Sequence, residues 1–285
     1  MKPAPFQYHA ARTIEEAVDL LGRFGDDARP MAGGQSLNPM LNFRVLRPAH
    51  VVDISRIERL RAIDATADRL WIGAAVTHAR LEDSALPGVA GALIRHAAGG
   101  IAYRSVRNRG TIGGSVAHAD AAADWPQVLC ALDAVVHLVS ASGRRSVPMR
   151  DFVHGVFETA LAPGDLIEGF EIAALPPDAR WGLSKQVFNH GGFAAAIAVC
   201  VLTAQRRALW LGVCGTRPMD LSAALSDLPA TWSSAARDRV KQAAIAEIER
   251  SGEPGSTDRY RRNLHAVNAA QSVEQAIDVE RAVRS

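Results

Sequence analysis

Cysteine is scarce in this chain, with three in 285 residues: Cys130, Cys200 and Cys214. None stands at a C-x-x-C or other metal-ligand spacing, and three thiols cannot all pair within one chain. They read as buried free thiols in a reducing compartment. Iron–sulfur clusters usually need four thiolates, so the chain holds no cluster of its own. Long apolar runs are missing too. No stretch nears the roughly 18 residues of a membrane span, and the longest, Phe193 to Thr203, fits a buried strand. The opening MKPAPFQYHA has no apolar segment of the secretory kind, which makes the cytoplasm the expected location. Charge of one sign is not in excess either. With 32 basic and 30 acidic residues the net is +2, which gives no electrostatic case for nucleic acid.

What is present is a globular composition: 48% hydrophobic and 22% charged residues, with a mean hydropathy of +0.00. At about 100–200 residues per domain, the length suits two domains and a small extra lobe. Thr13 with Glu16 forms a capping box ahead of Ile14, Ala17, Val18 and Leu21 at helical spacing. Arg29 to Ala32 and His50 to Ile54 read as short strands, making an α/β lobe of about 56 residues. Arg69 to Gly73 reads as a strand, and Thr77 onward and Gly88 to Ala98 as helices. Arg104 to Asp124 shows no period and contains Gly110, Gly113 and Gly114, so it reads as a long functional loop. Asp124 then caps a helix with Pro126 in its first turn. Strands follow at Ala134 to Ser140, near Val147 and at Leu166 to Ile172.

Leu175-Pro176-Pro177 divides the chain into residues 1–176 and 177–285, and residue 56 divides the first part into a smaller and a larger lobe. Beyond the boundary, Leu183 to Phe188, Phe193 to Thr203 and Ala208 to Val213 read as a three-stranded antiparallel meander, followed by helices with a long one at Ser233 to Arg250. The fold class is therefore α+β.

Two diglycine segments carry the chemistry: Ala32-Gly33-Gly34-Gln35-Ser36 and Thr111-Ile112-Gly113-Gly114-Ser115. Glycine admits positive φ and lets backbone approach a ligand, successive amides can form an anion-binding nest, and Ser36, Thr111 and Ser115 add hydroxyls. Each diglycine alone also reads as a tight turn. Neither is followed by Gly-Lys-Ser/Thr, and neither is a G-x-G-x-x-G opening a helix, so P-loop and Rossmann sites are not supported. The pair points to a phosphate-bearing ligand. His118 and His190 have no second ligand at metal spacing.

The string Arg107-Asn-Arg-Gly-Thr-Ile-Gly-Gly-Ser115, continuing through Val116-Ala-His-Ala-Asp-Ala-Ala-Ala-Asp-Trp-Pro126, resembles the second FAD motif of the flavin subunits of molybdenum hydroxylases, the family of carbon monoxide dehydrogenase medium subunits and xanthine dehydrogenase FAD subunits. Ala32-Gly-Gly-Gln-Ser36 resembles its first motif. Phe6 to Tyr8, Val52-Asp-Ile54, Ile72-Gly-Ala74 with Thr77, and Asp258-Arg-Tyr-Arg-Arg262 match in order, so the likeness spans nearly the whole chain.

The resemblance implies a two-lobed FAD-binding domain of the vanillyl-alcohol-oxidase (PCMH) type and a C-terminal flavoprotein domain. FAD would lie between them, held by Ala32, Gly33, Gly34, Gln35, Ser36 and Leu37 and by Thr111, Gly113, Gly114 and Ser115. It implies that Asp124 accepts from ribose or ribityl hydroxyls, with a helix cap as the competing role. Ile167 and Ile101 would pack on the flavin or adenine, Ile101 having ordinary core as its alternative. Lys185 would lie near the isoalloxazine, against the alternative of an exposed strand lysine.

It also implies a large molybdenum-cofactor subunit and a small iron–sulfur subunit as partners, a dimer of heterotrimers, an external electron acceptor, and no catalytic nucleophile in this chain. A stand-alone flavin oxidoreductase and an assembly module that has lost FAD are the rival readings. The chain departs from the family pattern at Ser115, often Asn, at Ala121 after Asp120, often Pro, and at Asn189 to Phe193, where an Arg and an Asp are common. Arg104, Arg107 and Arg109 are expected to shape the loop or to meet a partner.

Overall fold

The Thr13 half of the capping box forms. Thr13 Oγ1 accepts the Glu16 amide at 3.1 Å, while the Glu16 carboxylate takes the Arg12 amide at 2.7 Å. The helix it starts, α1 (Ile14–Phe24), buries Ile14, Ala17, Val18 and Leu21. That face covers a parallel sheet of β1 (Gln7–Ala10), β2 (Ala28–Met31) and β3 (His50–Asp53), with β3 in the centre. A short helix, α2 (Leu37–Asn42), lies in the connection between β2 and β3. This is a computed structural model, and it describes residues 2–213, 215–226, 232–252 and 258–278; Cys214 lies outside them.

The larger lobe is built on an antiparallel sheet in the order β4 (Ile63–Ala65), β5 (Arg69–Gly73), β10 (Leu166–Ala173), β6 (Val135–Ser140), β7 (Gly143–Pro148). The central place falls to β10, the last of these strands in the chain. A small hairpin, β8 (Val153–Gly155) and β9 (Glu158–Thr159), precedes it. Helices α3 (His78–Asp83), α4 (Gly88–Gly99), α5 (Arg104–Arg107), α6 (Ile112–His118) and α7 (Trp125–Ala131) connect β5 to β6. Ile94, Ile112, Trp125 and Leu129 from these helices join Ile72, Val136 and Phe170 from the sheet in one core.

The long loop expected at Arg104 to Asp124 thus contains two short helices, α5 and α6. Thr111 caps α6 by accepting the Gly114 amide at 3.1 Å. Gly113 sits mid-turn for a packing reason: a Cβ there would lie 2.5 Å from Ala74 Cβ and 2.6 Å from the Ala74 carbonyl oxygen.

The C-terminal part is an antiparallel meander, β11 (Arg180–Val187), β12 (Ala194–Leu202) and β13 (Arg207–Gly212), extended by a two-residue edge strand, β14 (Met219–Asp220). Alternation explains the apolar run of β12. Ala198, Cys200 and Leu202 face the helices α8 (Ser234–Ser251) and α9 (Arg259–Ile277), while Ile197, Val199 and Val201 join the core of the larger lobe. Both faces are covered, so the strand is hydrophobic throughout. Cys130 and Cys200 are buried free thiols, and burial pushes both thiols up.

Candidate functional site

The first diglycine follows β2. Gly34 has φ of +72°, the left-handed region where glycine is favoured, and the chain turns there into α2. The amides of Gly33, Gly34, Gln35, Ser36 and Leu37 donate to no described residue; the first donors of the turn are Asn38, to Gly34, and Met40, to Ser36. The Gln35 side-chain amide folds back onto the Gly33 carbonyl at 3.4 Å. Gln35 and Ser36 are exposed, Leu37 is half-buried, and Ala32 packs beside the core of the small lobe. Five successive backbone donors and a hydroxyl therefore remain available.

The second diglycine differs from what the sequence suggested. The Gly113 amide donates to the Ala74 carbonyl at 2.9 Å, and the Gly114 amide to Thr111 Oγ1 at 3.1 Å. Thr111 is buried, and its hydroxyl oxygen is committed as the helix cap. What this loop leaves open is the exposed Gly114 backbone and the half-buried Ser115 hydroxyl.

The two loops meet through backbone. A Cβ on Gly33 would stand 1.9 Å from the Arg109 carbonyl oxygen and 3.0 Å from Gly110 Cα. Behind them lies His78, buried under Gly110, where a Cβ would meet the imidazole at 2.9 Å. Trp125 Nε1 donates to His78 Nδ1 at 3.1 Å, so that nitrogen is the acceptor and the ring is neutral. Burial lowers its pKa to about 4, with the Arg107 charge a smaller contributor.

Asp124 and Lys185, expected at the ribose or ribityl hydroxyls and near the isoalloxazine respectively, are ion-paired. Lys185 Nζ lies 2.6 Å from Asp124 Oδ1, and both side chains are 11% exposed. This corrects two local readings. Asp124 makes no side-chain cap on α7, and Lys185 is not an exposed strand lysine. Strand alternation aims it: Ser184 points toward α9, its hydroxyl 2.8 Å from Asn268 Oδ1, so Lys185 points the opposite way. Burial raises the Asp124 carboxyl above the usual range, and the Lys185 charge opposes that rise. Lys185 also donates to the Gly100 carbonyl at 2.9 Å, next to Ile101, which packs at the margin of the core. Ile167 is buried inside it, at a bulge in β10.

Arg107, expected to shape the loop or to meet a partner, holds the adjacent turn. Arg107 Nη1 donates to the Ile101 and Ala102 carbonyls at 3.0 and 2.9 Å, while its Nε and Nη2 take the two Glu82 oxygens at 2.9 and 3.1 Å. The Arg cluster was visible in the sequence, but Glu82, 25 residues away, carried no signal. Arg104 pairs with Glu82 and Asp83 and accordingly shapes the surface. In the Asn189–Gly192 turn, Gly191 (φ of +75°) lies flat against Tyr103, whose ring meets His190 edge-on at 5.7 Å. His118 packs on Phe157 at 4.8 Å.

Among the described residues no helix is long and apolar enough to cross a membrane. Residues 4–174 match the family model described as the FAD binding domain in molybdopterin dehydrogenase. The chain is 41% identical over 203 residues to the 6-hydroxypseudooxynicotine dehydrogenase complex subunit alpha of Paenarthrobacter nicotinovorans, covering 71% of this chain and 69% of that one. It is 32% identical over 288 residues to the carbon monoxide dehydrogenase medium chain of Afipia carboxidovorans, covering 97% and 98%. Among solved structures, quinoline 2-oxidoreductase from Pseudomonas putida 86 superposes with a TM-score of 0.86 at 29% identity, over 98% of this chain and 99% of that chain.

Proposed function

Because this chain belongs to the family of FAD-binding domains in molybdopterin dehydrogenases and is the FAD-binding oxidoreductase subunit of such a complex, we propose that it relays electrons. They pass from a large molybdenum-cofactor subunit, through the iron–sulfur clusters of a small one, to this chain and on to an external acceptor. The assembly is a dimer of such heterotrimers. FAD, when bound, supplies the two-electron redox chemistry, and the protein supplies binding, orientation and electrostatics.

The observations that carry this reading are an open run of amides at Gly33 to Leu37, brought by the backbone contact of Gly33 with Arg109 beside the segment leading into the second turn, and a buried Lys185–Asp124 ion pair. The amides and the Ser36 hydroxyl bind the diphosphate as neutral donors. The Ser115 hydroxyl holds its other side, with Thr111, Gly113 and Gly114 shaping the turn that presents it. Asp124 Oδ1 is taken by Lys185, and its second carboxylate oxygen accepts a ribose or ribityl hydroxyl. Ile101 and Ile167 give the rings apolar packing.

Lys185 favours electron-rich, reduced flavin. Its charge is balanced by Asp124, so the ligand feels an oriented ion pair instead of a bare cation. That makes the exact placement of Nζ matter. The purified protein is expected to be yellow and to release intact FAD on denaturation. Recovery of a folded, colourless protein that ignores added FAD would overturn the proposal.

A further inference from the structure

We propose that Arg107 is a positioning residue for the redox site: by clamping the Ile101–Ala102 turn it fixes where Lys185 stands, and so sets the reduction potential of bound flavin. This inference rests on the reading that Lys185 faces the flavin.

Three observations lead there. The Arg107 side chain is only 13% exposed, and its fork is fully used, one arm on two consecutive carbonyls and the other on Glu82. Second, the clamped turn is strained. Ala102 has φ of +44°, in the left-handed region that a non-glycine residue seldom adopts. Third, the residue before this turn is Gly100, whose carbonyl takes Lys185 Nζ at 2.9 Å. Glu82, Arg107, the turn, Gly100, Lys185 and Asp124 thus form one continuous line of polar contacts from the surface of α3 to the crevice. Arg104 reaches neither carbonyl and pairs with Glu82, Asp83 and Asn108. The geometry of a planar fork is what grips two adjacent carbonyls; a lysine ammonium at this position keeps the charge and loses the grip.

The test is a potentiometric titration, with separate measurement of FAD affinity, on the flavin-loaded full chain and its Arg107→Lys, Arg107→Gln, Arg104→Gln and Lys185→Met variants. Both Arg107 variants are expected to lose about tenfold in the preference for reduced over oxidised FAD, a drop of about 30 mV for a two-electron couple. Arg104→Gln is expected to leave the potential in place. An unchanged potential in both Arg107 variants overturns the inference. A change in Arg107→Gln that Arg107→Lys restores in full also overturns it, because charge and not position would then be responsible. Glu82→Gln covers the case in which Arg107→Gln does not fold; a shift of the same sign supports the inference and none refutes it. Lys185→Met separates the two levels. If it moves the potential and the Arg107 variants do not, only this inference fails. If it moves neither affinity nor potential, the lysine is not at the flavin and the functional reading fails with it.

Discussion

Two diglycine turns that look alike in sequence do opposite things. At Gly33–Gly34 the backbone turns into a short helix and leaves five amides without partners among the described residues. At Gly113–Gly114 the amides are consumed, one by Ala74 and one by the Thr111 cap, and the glycine serves the approach of α6 to the β5 end. One glycine pair frees donors and the other buries them. The lesson is that a glycine motif reports close approach, while what approaches, ligand or protein, depends on where the neighbouring amides go.

The largest effect that would test this contrast is Gly33→Ala. Its Cβ would need the space of the Arg109 carbonyl, 1.9 Å away, so the half-exposed loop has to swing outward. FAD affinity is expected to fall on the order of a thousandfold (~4 kcal/mol), with little change in flavin-free stability. Equilibrium dialysis and urea unfolding read the two quantities, and wild-type affinity would break the comparison. Gly113→Ala is expected to show the reverse signature, because its neighbours are core backbone. Flavin-free protein should lose about 3 kcal/mol in denaturant unfolding; unchanged stability there would mean the second turn is not a packing device.

How much of this was legible in the sequence divides along the same line. Local features were: the capping box at Thr13, the two-sided apolar strand Ala194–Leu202 and the meander around it follow from periodicity and short turns. The helices α5 and α6 were hidden, since Gly110, Gly113 and Gly114 read as breakers when the Ala74 backbone and the His78 ring that demand them are not in view. Asp124 looked like a helix cap because its partner is 61 positions away, on β11 of the C-terminal sheet. The site residues could be named from motif resemblance, but their pairing was a tertiary fact.

A third, intermediate effect concerns the support behind the second turn. His78 is held neutral with a pKa of about 4, against 6.5 in an unfolded chain. Between pH 6.5 and 4 the unfolded state takes up a proton that the fold refuses, so stability is complete above this window, falls through it and levels below. Across the whole window the loss amounts to about 3 kcal/mol. Chemical unfolding at pH 7 and pH 4.5 should show a smaller difference in His78→Asn, whose amide oxygen can still accept Trp125 Nε1–H. An identical pH dependence in the two proteins would remove His78 from the account. His265 in α9, likewise lowered to about 4 by burial, supplies a parallel slope that cancels in that comparison.

The smallest effect sharpens the contrast at the rim. Ser115→Ala deletes the half-buried hydroxyl that the second turn presents, at a cost of about 1 kcal/mol, or roughly fivefold in FAD affinity. Isothermal titration resolves this, and a loss as large as that of Gly33→Ala would mean the two turns share the diphosphate equally.

The central place of β10 has a consequence for biosynthesis. As the ribosome extends the chain, β4 pairs with β5 and β6 with β7, leaving two half-sheets with facing open edges. Neither edge closes until Leu166–Ala173 emerges, nearly a hundred residues after β5. The nascent lobe passes through a stage with unpaired strand edges that invite aggregation, so the timing of one late strand governs how safely the flavin domain is made.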